Sequence, residues 1–145
     1  MRLPGEHFAA ALAFLCAGAG LLVWVAPDVA RGLYPLPRVA AVTHLVTLGR
    51  ITTSIMGALY QFLPVAVGTP IRWRRLAEAT FALHVPGVTL FVAGLLGSWP
   101  VGRTLGAAAF GTALLLFALN LAATLGATAA DRRDVTWWGR PPTWS

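Results

Sequence analysis

Four long apolar runs, each near or above the length of a bilayer crossing, leave this chain few folds to choose from. They cover about residues 7–25, 39–67, 76–96 and 104–130. Ala26-Pro27-Asp28 closes the first, Gly68-Thr69-Pro70 the second and Trp99-Pro100 the third. A hydrocarbon core of about 30 Å needs roughly 20 apolar residues in a helix. Inside lipid the backbone must satisfy its own hydrogen bonds, so a span is either a helix or a strand of a closed barrel. A barrel strand alternates with period two, and these runs do not. The expected fold is therefore all-α: a four-helix transmembrane bundle over residues 1–130. Residues 131–145 form a tail rich in Trp and Pro. The first run is read as a helix rather than a cleaved leader, because its small residues Cys16-Ala17-Gly18 lie inside it instead of after it.

Composition agrees. Charged residues make up 11% of the 145-residue chain, against about 25% for soluble domains. The length suits one domain. A single cysteine, Cys16, excludes an internal disulfide. The net charge of +6 comes entirely from arginine, as there is no lysine. Those arginines sit mainly between and beyond the spans. They read as topology signals, and no nucleic-acid partner is expected. Arg2, Arg72, Arg74, Arg75, Arg132, Arg133 and Arg140 would share one side, and Arg31, Arg38 and Arg103 the other. That bias puts both termini in the cytoplasm. The expected location is the inner (cytoplasmic) membrane of a bacterium, multi-pass, with lipid as the surrounding partner.

Polar groups within the spans carry what chemistry there is. His44 lies about five residues into the second run, about 8 Å deep, and His84 about eight residues into the third, about 12 Å deep. Neutral imidazole is a common ligand of metals and haem iron. A lone membrane histidine more often bonds a neighbouring helix, but two on adjacent helices favour a cofactor. At 100° per residue His44 shares its face with Thr47, Leu48, Ile51, Ile55, Ala58 and Phe62, while Gly49, Thr53 and Gly57 form a small-residue seam opposite. Pro86 follows His84 closely and would kink its helix.

Arg50 falls near mid-membrane, where an unpaired charge costs from a few to more than about ten kcal/mol. It needs an anion, water, backbone carbonyls or a group such as Asn120. Tyr60, Gln61 and Asn120 are expected to hydrogen-bond between helices, and His7 to sit at the interface. There is no carboxylate metal motif, catalytic triad or glycine-rich phosphate loop.

The stretch THLVTLG (residues 43–49) followed by IMGALYQFLPV (residues 55–65) resembles a helix of haem–copper oxidase subunit I. It is similar also to the related twelve-helix nitric-oxide-response haem proteins. The matching positions are His44, Leu48-Gly49, Gly57-Ala58, Gln61 and Pro64, with LHVPG at residues 83–87 a looser second match. That family arranges twelve helices as three arcs of four. The resemblance implies that this chain is one such unit, with His44 on its second helix and His84 on its third.

It further implies haem b, metal ligation by His44 and His84, a place for Arg50 in the haem cavity, and a homotrimer completing the ring. Electron transfer, gas binding (O2 or NO) or haem handling would follow. The departures matter. No His-His pair stands ready for copper, no Tyr lies one turn from His44, and Arg50 replaces an apolar or aromatic residue. Reduction of oxygen to water is not implied. The alternative is a cofactor-free small membrane protein with an interaction or assembly role.

Overall fold

The computed structural model describes residues 3–68 and 70–134, with side chains as far as residue 127. The helix that ends the described chain runs on through residues 131–134, where the tail was expected to begin, and the rest of the Trp/Pro-rich tail lies outside the described residues. Four helices are long and apolar enough to cross a membrane. They are α1 (Leu3–Ala30), α2 (Pro37–Val67), α3 (Arg74–Leu96) and α4 (Pro100–Asp134). No strand occurs among the described residues. The shortest, α3, has 23 residues and so reaches about 35 Å at 1.5 Å per residue.

The helices pack in chain order as an arc. α1 lies on α2, α2 on α3 and α3 on α4, and α1 and α4 do not meet. Heptad seams explain why. The buried residues of α1 are His7, Ala11, Phe14, Gly18, Val25 and Asp28, a run of alternating four- and three-residue steps with half-buried Leu21 filling the gap. On α4 the seam is Gly102, Gly106, Ala113, Asn120 and Thr124. A 3.5-residue repeat keeps one stripe against a neighbour in left-handed packing. Small residues let the backbones approach, since lipid gives no hydrophobic drive between helices. At Gly87 of α3 an added Cβ would stand 2.7 Å from the Phe110 backbone nitrogen. Here α3 and α4 touch backbone to backbone.

The ends of the helices are set locally. Gly32, at φ +73°, stops α1. Its N–H bonds the Val29 carbonyl at 3.0 Å and that of Leu33 bonds Asp28 at 2.9 Å, which is the Schellman pattern. α1 therefore runs past Pro27, where the sequence suggested closure at residues 26–28. Asp28 is then buried and clamped by Arg38 from the start of α2. Nε lies 2.5 Å from one carboxylate oxygen and Nη2 2.6 Å from the other. α3 ends in the same pattern, but Ser98 occupies the left-handed position at φ 49°.

α2 departs from a plain helix. It is α-helical over Pro37–His44, π-helical over Leu45–Thr52, and α-helical again over Thr53–Val67. Its buried seam reads Val42, Leu45, Gly49, Thr53, Met56, Tyr60, in steps of three, four, four, three and four. A heptad seam would place residue 52 where Thr53 stands. The π stretch, with about 4.4 residues per turn, absorbs the extra residue and keeps the stripe facing α1 and α3. The expected small-residue seam is present. An added Cβ on Gly49 would stand 2.7 Å from the Phe14 ring, and one on Gly57 2.7 Å from the Cβ of His7.

Candidate functional site

The π stretch positions the groups singled out in the sequence, and it separates them. His44 is the last residue before it. Its Nδ1 donates to the Ala40 carbonyl at 2.7 Å, so in the neutral ring the lone pair lies on Nε2. The ring is half-buried and meets Phe91 of α3 edge-on, with centroids 5.1 Å apart. Nε2 has no hydrogen-bond partner among the described residues. A backbone carbonyl fixing Nδ1–H while Nε2 stays open is the arrangement that metal-binding histidines use.

Arg50 lies inside the π stretch and is exposed on the surface of the bundle. It lines a groove of about 200 Å³ with Phe8, Ala11, Leu12, Leu15 and Ser54. No described residue pairs with it. Asn120, considered above as a partner, is engaged elsewhere. Its amide accepts from the Trp73 N–H at 3.2 Å and donates to the Trp73 carbonyl at 3.1 Å. That bond ties α4 to the connection between α2 and α3. Arg50 thus faces the α1 side of α2, while His44 faces the α3 side.

His84 is fully buried. Its Nε2 lies 3.0 Å from the Thr53 hydroxyl and 3.2 Å from the Leu48 carbonyl, both on α2. A carbonyl only accepts, so Nε2 carries the hydrogen. This is the interhelical bond that the simpler reading of a membrane histidine foresaw. Its other nitrogen, Nδ1, is buried without a partner. Seven residues of α3 separate His84 from Phe91, the neighbour of His44, which is about 10 Å along the axis. The two histidines therefore share the α2–α3 interface but do not converge within one chain. Neither His44 nor His84 lines the Arg50 groove, and neither lines the cavity bounded by Leu3, Tyr60 and Arg74.

His7, expected at the interface, is packed inside the bundle. It is fully buried between Tyr60 of α2 and Phe81 of α3, with ring centroids 5.6 and 4.7 Å away. The signal was its heptad phase with Ala11, Phe14 and Gly18, which marks the packed stripe of α1. Gln61 is exposed and, contrary to expectation, makes no hydrogen bond among the described residues. The face shared by Thr47, Ile51, Ile55 and Phe62 also points outward. No protein-family model, curated protein or solved structure matches the chain.

Proposed function

We propose that this protein binds haem b in the membrane, with His44 as axial ligand and the haem lying between copies of the chain. The observation that supports this reading is the His44 imidazole, fixed through Nδ1 and presenting an open Nε2 on a half-buried face. A π stretch begins at the next residue, and such insertions gather at functional sites. Bound haem would supply one-electron chemistry or a gas-binding iron. The chain's own part is to hold the group through His44 and wall it with Phe91, while Arg50, on the other side of α2, would meet a carboxylate only as part of a neighbouring copy. His84 fits this role poorly in the closed bundle, since its Nε2 is committed to α2 and its ring is enclosed.

The arc supports a closed assembly, with a homotrimer as the proposed form. In the central helices 39% of the apolar window is buried, but only 22% in α1 and 17% in α4. Cyclic repetition would cover the two flanks and bring the open faces of α2 against neighbours. A covered Arg50 would escape the cost of facing lipid. Both termini are placed in the cytoplasm by the arginine bias. The resemblance to one four-helix oxidase unit is part of the same proposal.

Oxidised and reduced visible spectra of protein purified with haem supplied during expression test the reading. A Soret band with sharp reduced bands is expected, lost in His44→Ala and kept in His84→Ala. A colourless wild-type protein would overturn it. The second reading, a cofactor-free interaction or assembly protein, draws on the complete enclosure of His84 and predicts that colourless result. Native mass spectrometry in mild detergent reads the subunit and haem counts together. A monomer holding a full haem complement would defeat the trimer.

A further inference from the structure

Two buried histidines on different helices each turn an unpartnered nitrogen into the same part of the bundle. His7 Nδ1 donates to the Leu3 carbonyl at 2.8 Å, which leaves the lone pair on Nε2. His84 Nε2 donates to α2, which leaves the lone pair on Nδ1. Both of these remaining nitrogens are buried and without a partner among the described residues. They are acceptors, so they cannot satisfy one another, and leaving a buried polar atom unsatisfied is unfavourable. Phe81, whose ring lies tilted against His7 with centroids 4.7 Å apart, is one turn before His84 on α3. On α2 the two rings meet positions one turn apart: His7 packs on Gly57, and His84 bonds the Thr53 hydroxyl.

The surroundings point to what fills the need. A cavity of about 310 Å³ is lined by Leu3, Pro4, Tyr60, Pro70, Arg74 and Ala77, among others. Its lining includes Tyr60, whose ring packs edge-on against His7. The Tyr60 hydroxyl is buried and has no hydrogen-bond partner among the described residues. A vestibule of this size holds several waters, since one occupies about 30 Å³ in the liquid. A water offers two hydrogens, and the histidine pair needs two.

We propose that His7 and His84 form a water-binding site inside the membrane region, one water bridging His7 Nε2 and His84 Nδ1. The vestibule beside Tyr60 supplies that water. A metal ion on the same two nitrogens is disfavoured. No group of three or more His, Cys, Asp or Glu exists among the described residues, and exposed Glu6 is the nearest carboxylate in sequence to His7. The site is independent of haem binding.

Magic-angle-spinning NMR of the full chain in lipid bilayers, with 15N-labelled histidine, tests it. Water-edited spectra should show transfer to His7 Nε2 and His84 Nδ1, each as an unprotonated hydrogen-bonded nitrogen. His7→Phe should remove the water signal at His84 while His84 keeps its Nε2–H bond. Dry nitrogens in the folded wild type would overturn the proposal without recourse to any variant. So would a stoichiometric metal other than haem iron in elemental analysis, or a proton shared directly between the rings. A normal water signal at His84 in folded His7→Phe protein would overturn the bridge.

Discussion

Gly106→Ala and Gly111→Ala make the same chemical change five residues apart on α4, with opposite expected outcomes. A Cβ on Gly106 would stand 2.6 Å from Phe91 Cα and 2.8 Å from the Gly87 carbonyl oxygen. Carbon atoms pack best at about 3.5–4.0 Å, and both obstacles are backbone, so no side chain can swing aside. The α3–α4 pair must part by about 1 Å. A gap of that size forfeits up to about half of a well worth about 0.1–0.2 kcal/mol per atom pair. Over about 40 pairs along the seam the loss is about 2–3 kcal/mol, in the range known for overpacking. The better helix propensity of Ala returns up to about 1 kcal/mol, leaving a net loss of about 1–2 kcal/mol. At Gly111 nothing lies within 4 Å of the added Cβ, so the propensity gain stands alone. Equilibrium unfolding in mixed micelles, titrated with a denaturing detergent and followed by circular dichroism, reads both. Equal shifts for the two variants would refute the claim that α3 and α4 touch through their backbones.

Arg38→Met leaves the Asp28 carboxylate buried without its clamp. The same assay should show a loss of about 2–4 kcal/mol, with much of it recovered in the double variant Asp28→Leu/Arg38→Met. Ser98→Gly relieves a non-glycine residue at φ 49° and should stabilise by about 1 kcal/mol. If haem is bound, Arg50→Leu should shift its midpoint potential, measured by redox titration. A change in stability alone would make the arginine structural. Reporter fusions after Ser145 and within residues 28–37 check the orientation, with an active cytoplasmic reporter expected only at the C-terminus.

The number and kind of helices were legible in the sequence, because length and hydropathy alone decide whether a segment can cross a bilayer. The small-residue seam Gly49, Thr53, Gly57 was legible for a related reason: close helix approach admits few side chains. The same holds for His84, whose bond to a neighbouring helix was one of the two readings open to it. His7 was legible in principle through its heptad phase, but its place near a span end suggested the surface. The π stretch was not legible. No residue in LVTLGRIT demands it. It exists because the stripe of α2 that fits α1 and α3 carries one residue more than a heptad allows, and only the packed neighbours define that stripe. Arg50 lies toward α1 and His44 toward α3. Sequence fixes which polar groups lie in the membrane, because burial there is costly for each of them separately. Which of them meet is a property of helix phase, and phase is settled by the fit of whole surfaces.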